Sequence, residues 1–186
     1  MTTKELRLSD IEQRDNQDGE KVLTGYAVKW DSPTNIGGQF QEEFTRGAFS
    51  KALGGSDIRA LVDHDMSKVL GRNRSGTLRL QEDDIGLRVD ISPPDTQVAN
   101  DLLKLVERGD VSGMSFGFQA REQRWDHKTS PSKRTVTDAE LFEVSVVTFP
   151  AYPDTTIALR SLENDKAKLL RERLEAQLKE RLKDGE

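Results

Sequence analysis

Chemistry in a chain with no cysteine and two histidines has few places to start. The missing thiols exclude disulfides, zinc–thiolate sites and cysteine nucleophiles, so covalent catalysis would fall to a hydroxyl activated by a neighbouring base. His127 stands in the polar run "WDHKTSPSKR" and reads as a solvated surface imidazole. His64 stands in "ALVDHD". Read as a strand, that segment puts Ala60, Val62 and His64 on one face and Leu61, Asp63 and Asp65 on the other, with His64 at or near the core. The same alternation turns the aspartates away from the imidazole and argues against a metal ion held by "DHD".

A histidine in that position is either structural, with its ring hydrogen-bonded, or a base, and two other strands bear on the choice. In "AELFEVSVVTFP", Phe142, Val144 and Val146 share one face, while Leu141, Glu143, Ser145, Val147 and Phe149 share the other. Both faces are apolar enough to bury Glu143, which then needs a partner: an imidazole, or an arginine such as Arg59 or Arg121. In "DVSGMSFGF", Ser112, Met114, Phe116 and Phe118 make a bulky core face. The opposite face presents Ser115 between Gly113 and Gly117. Glycines there leave room for a substrate backbone, or mark a bulge or a tight packing contact. A serine, a histidine and a carboxylate on separate strands can act as nucleophile, base and orienting group. Nothing in the chain calls for a cofactor or a metal.

The elements that must hold these residues follow from hydrophobic period. "LRLSDI" and "KVLTGYAVKW" alternate around the turn-forming "NQDGE" and predict a β-hairpin. "TRGAFSKAL" suggests a short helix ending at a glycine pair, and "TLRLQ" and "IGLRVDI" predict paired antiparallel strands. "SPPDTQVANDLLKLVERGD" changes to helical period, with Asp95 as the cap, Val98, Leu102, Leu103 and Val106 on one face, and Gly109 past the last turn. "VSGMSFGFQAREQRW" and "RTVTDAELFEVSVVTFP" return to strand, and "AYPDTT" closes the domain. Many strands with few, irregularly placed helices predict an α+β fold built mainly on an antiparallel β-sheet or barrel. From Ser161 to Glu186, leucines at helical spacing among balanced charges predict an amphipathic C-terminal helix, separate from a domain over 1–160.

The chain has 186 residues, 34% hydrophobic and 33% charged, with a net charge of −5. That is one domain plus an appendage. The acidic balance gives no electrostatic reason to expect nucleic acid as a partner. No apolar window approaches the roughly 18 residues of a membrane span, and "MTTKELRLSDIEQRD" has no signal-peptide core, so neither a membrane nor export is expected.

Taken together and in order, "LTGYAVKWDSP", "GGQFQEEFTRGAF", "LVDHD", "LGRNRSGTLRLQEDDIGLRVDI", "GDVSGMSFGF" and "ELFEVSVVTFPAYP" resemble the prohead proteases of tailed bacteriophages, which are related in fold to the herpesvirus assemblins. The resemblance covers roughly residues 20–155. It implies a serine endopeptidase that works inside the immature capsid in the host cytoplasm, trims scaffold and major capsid protein segments, and digests itself. Carried onto matching positions, it puts the nucleophile at Ser115, the histidine at His64 and the third member at Glu143. Where the family often has Asn before its histidine, this chain has Asp63. A homodimer is an expectation from kinship with assemblins. Backbone N–H groups, or an arginine such as Arg72 or Arg108, would supply the oxyanion donors. The rival reading is a catalytically silent assembly module on the same fold, with the C-terminal helix as a scaffold contact.

Overall fold

The strand that organises the molecule is its longest. In the computed structural model, which describes residues 5–15, 21–148 and 167–176, β10 (Ser132–Val147) pairs antiparallel with β9 (Gly113–Asp126) along nearly its whole length. Its other edge is shared by two short strands running parallel to it. β4 (Phe40–Phe44) takes Ser132 to Val136, and β5 (Arg59–Val62) takes Glu143 to Val146. Around this centre run β1 (Glu5–Asp15), β2 (Lys21–Lys29), β3 (Thr34–Ile36), β6 (Asp65–Arg72), β7 (Leu78–Glu82) and β8 (Gly86–Ile91). The sheet has ten strands in the order β3-β4-β10-β9-β1-β2-β8-β7, with β5 on β10 and β6 on β5.

The α+β class stands and the sheet is mainly antiparallel as expected, open rather than closed into a barrel, with the parallel pairs β4–β10 and β5–β10 making it mixed. A short β5 lying parallel to β10 brings the β5–β6 turn over the C-terminal end of β10, which matters for the site. The β1–β2 and β7–β8 pairs are the antiparallel neighbours that their alternation predicts. The "NQDGE" turn, "AYPDTT" and most of the segment from Ser161 lie outside the described residues.

The bulky face of β9 enters the core as its period requires. Phe116 and Phe118 pack with Phe44 and Phe49, the ring centroids lying 5.1–6.1 Å apart, and Met114, Val144 and Val146 continue the layer. Each such side chain contributes about 2 kcal/mol by leaving water. A second buried feature is polar. Arg134 is 1% exposed and donates to Glu5, Glu42 and Gln123, and Arg7 joins the same two carboxylates, so β1, β4 and β10 meet through paired charges.

Two helices pack on this sheet: α1 (Ser50–Gly55) and α2 (Gln97–Glu107). The cap of α2 is Thr96, whose hydroxyl accepts from the Ala99 N–H, while Asp95 accepts from the Asn100 side chain. The helix buries Ala99, Leu102 and Val106 and leaves Val98 outside. The chain divides into two compact units, Met1–Asp154 and Thr155–Glu186. In the second, residues 167–176 form a helix that exposes Leu170 and Leu174. No helix among the described residues is long and apolar enough to cross a membrane.

Candidate active site

His64 is not on a strand. β5 stops at Val62, Val62 pairs with Asp65, and Asp63 and His64 form the two-residue turn between them, with φ of 47° and 60°. Positive φ at both central residues is the pattern of a type I′ hairpin turn, which Asn and Asp tolerate because a short polar side chain can bond locally. Here the bond is long-range. The Asp63 carboxylate accepts from the Thr148 N–H at 2.8 Å and from its hydroxyl at 3.0 Å, and the Asp63 N–H donates to the Val146 carbonyl at 2.9 Å. The turn is thereby clamped to the end of β10, and backbone strain of this kind persists only where the surroundings over-determine it.

The expectation that His64 shares a face with Ala60 and Val62 therefore fails, and so does the metal argument built on alternation. The three side chains of "DHD" go to different places: Asp63 to Thr148, His64 to Glu143, and Asp65 to Ser67. The Ser67 hydroxyl and amide hold the Asp65 carboxyl down to about 2. Among the described residues no cluster of His, Asp and Glu is arranged to hold a metal ion.

Folding back over β10, the His64 ring brings Nδ1 to 2.9 Å from Glu143 Oε1. Glu143 is 4% exposed, and its other oxygen, Oε2, accepts from the Ser145 hydroxyl two residues along the same strand. The alternative arginine partners are engaged elsewhere, Arg59 with Asp57 and Arg121 with Glu140. Ser145 stands directly opposite Ser115 in the β9–β10 ladder, and Glu143 stands opposite Gly117. Facing residues of an antiparallel pair point to the same side, so Ser115, Ser145 and Glu143 share one face of the sheet. Ser115 and Ser145 are fully buried, while the His64 side chain keeps 21% of its surface.

Among the described residues, two buried polar atoms of these side chains have no hydrogen-bond partner: Ser115 Oγ and His64 Nε2. Buried donors and acceptors are nearly always paired, so each open one calls for an explanation; Ser9 Oγ, Gln13 Oε1 and Trp125 Nε1 are open as well. His127 is far away. It stacks on Trp125 at the opposite end of β9, ten positions and about 33 Å of extended strand from Ser115. Both arginines suggested for an oxyanion site are paired with carboxylates. Arg72 makes two 2.7 Å bonds to Asp57, whose carboxyl it holds down to about 2, and Arg108 pairs with Asp110. The Arg72–Asp57 pair instead braces the foot of the β5–β6 hairpin.

Sequence reasoning did not single out Ser145 or the Asp63–Thr148 clamp. The first was visible in principle, because Glu143 and Ser145 are spaced to share a strand face. The second joins residues 85 apart and has no local signal.

Serine peptidases are the class in which an open hydroxyl and a carboxylate-braced imidazole recur together, on unrelated folds. Comparison by sequence is specific: the family of caudovirus prohead serine proteases matches residues 8–168, well over half of the chain, and the chain belongs to that family. It is thus a serine protease of phage capsid maturation. No curated protein matches it by sequence. Among solved structures it is similar to the capsid assembly protease of bacteriophage T4, at 14% identity and a TM-score of 0.48, over 77% of this chain and 98% of that one.

Proposed function

We propose that the chain is a serine endopeptidase in which Ser115 is the nucleophile, His64 the general base and acid, and Glu143 the group that orients His64. The observation that carries this reading is that Ser115 Oγ and His64 Nε2 are both buried and open among the described residues, with His64 Nδ1 already committed to Glu143. Donation from Nδ1–H to the carboxylate leaves Nε2 with its lone pair, the tautomer that a serine proton requires. Ser145 does not compete for the role, because its hydroxyl proton is engaged by Glu143.

In the cycle, Ser115 Oγ bonds to the peptide carbonyl carbon as its proton passes to His64 Nε2. The C–N bond then breaks as that proton moves to the leaving amine. Water repeats the sequence on the acyl-enzyme and restores Ser115. Glu143 stabilises the imidazolium without taking its proton. With Ser115 buried and His64 partly exposed, substrate reaches the hydroxyl past the imidazole. The substrates in this reading are scaffold and capsid-protein segments within the procapsid, and the chain itself.

The same burial of Ser115 is the one observation on the side of a silent assembly module. Cleavage decides between them. With the cognate capsid precursor as substrate, Ser115→Ala and His64→Ala should each reduce turnover by about 10⁶-fold. Undiminished cleavage by either variant, or none by the wild type, would remove the assignment.

A further inference from the structure

The run Val144–Ser145–Val146–Val147 places one hydroxyl in a stretch of β-branched apolar residues, and that hydroxyl is fully buried. Burying a hydroxyl without a partner costs on the order of 1–3 kcal/mol, so a buried serine here calls for a bond that valine cannot make. The bond is the one to Glu143 Oε2.

We infer that Ser145 is a positioning residue for the His64–Glu143 pair, fixing the carboxylate so that its other oxygen stays on His64 Nδ1; this rests on the roles proposed above for Ser115, His64 and Glu143. A terminal carboxylate torsion is broad and roughly two-fold, so a donor on each oxygen narrows the range of Glu143 orientations that keep Oε1 on the ring. His64 takes Oε1 and Ser145 takes Oε2, and β10 itself sets the distance between Glu143 and Ser145. Because Ser145 faces Ser115 across the ladder, the strand pairing that sets the nucleophile also sets the residue that steadies the brace of its base. Outer partners that orient metal ligands change activity by about 10- to 100-fold when removed, and the same order is expected for a partner that orients a carboxylate.

Thr and Val separate the hydroxyl from its volume. Ser145→Val should lower kcat on the cognate precursor by about 10- to 100-fold with KM within about three-fold, and Ser145→Thr should restore most of it. A second readout is the low-field ¹H NMR line of His64 Nδ1–H, assigned by its absence in His64→Ala. It should move upfield in Ser145→Val and return in Ser145→Thr. If the added methyl groups prevent folding, Ser145→Ala and Ser145→Cys carry the same comparison, Ala losing the donor and Cys keeping a weak one. Wild-type kcat and an unmoved line in Val or Ala would overturn the inference, as would equal losses in Val and Thr. If those variants stay fully active while Ser115→Ala and His64→Ala are inert, only the role of Ser145 falls. If Ser115→Ala or His64→Ala cleaves normally, the underlying assignment falls instead.

Discussion

The Asp63 clamp yields the prediction with the clearest internal control, because three substitutions divide its two contributions. Asp63 supplies tolerance of a left-handed backbone, φ 47°, and two hydrogen bonds to Thr148, at 2.8 and 3.0 Å. Bonds to a charged acceptor are worth roughly 1.5–3 kcal/mol each when shielded, and at this exposed position we take about 1–2 kcal/mol for the two together. Strain adds about 1 kcal/mol for a residue with an ordinary Cβ and no local polar group. Asp63→Asn keeps an acceptor for the Thr148 N–H and gains a donor for its hydroxyl, so it should lie within about 0.5 kcal/mol of wild type. Asp63→Gly loses the bonds but relieves the strain, costing about 1–2 kcal/mol, whereas Asp63→Ala loses both, costing about 2–3 kcal/mol. Urea denaturation gives that order. Cleavage kinetics give its functional side, since an ångström of misplacement in a base costs about 100-fold: Gly and Ala should lose 10- to 100-fold in kcat while Asn keeps most of it. A glycine variant as stable and as active as wild type would refute the idea that Thr148 holds His64 in place.

Two further outcomes concern the buried charges. Arg134→Met should destabilise the protein by about 3–5 kcal/mol in urea denaturation, because it leaves the carboxylates of Glu5 and Glu42 to Arg7 alone; a loss under about 1 kcal/mol would show that the network is not closed off from water. Burial pushes the Glu5 carboxyl up, but Arg134 and Arg7 outweigh it and hold it below the ordinary value of 4.5. The unfolded chain therefore takes up the proton first as pH falls, so this contribution is complete above 4.5 and is lost on acidification below it. Melting temperatures from pH 7 to pH 3 should drop more steeply in wild type than in Glu5→Gln, and parallel curves would contradict the sign.

What the sequence disclosed was decided locally, and what it hid was decided across the sheet. The period-two runs of β7, β8 and β9 and the helical period of α2 each report which side faces the core, so they were legible except at Val98, which α2 leaves outside. Thr96 and Asp95 are both cap formers one position apart, and only backbone geometry separates them. The "DHD" hairpin had no glycine to announce it; its strain is offset by Thr148, far along the chain. The parallel pairing of β4 and β5 with β10 was hidden for the same reason, and with it the meeting of Glu5, Arg7, Glu42 and Arg134, each of which reads in isolation as a solvent-facing charge.

Of the uses its neighbourhood suggested, Gly113 takes the tight packing contact. A Cβ built there would lie 3.2 Å from the side chain and from the carbonyl oxygen of Val147, so the space left by the missing side chain is already filled by β10. That glycine lets two strands close tightly and does not open a path for substrate. Tight closure is what the proposed site needs, because Ser145 and Ser115 come from facing strands, and any widening between β9 and β10 would move Ser115 away from the strand that carries Glu143. His64 is then the only member of the proposed set not carried by that ladder. Its place depends on a strained turn and on one side-chain clamp, so the reactive geometry should fail first at Asp63 and Thr148, before the strands that hold Ser115 and Glu143 give way.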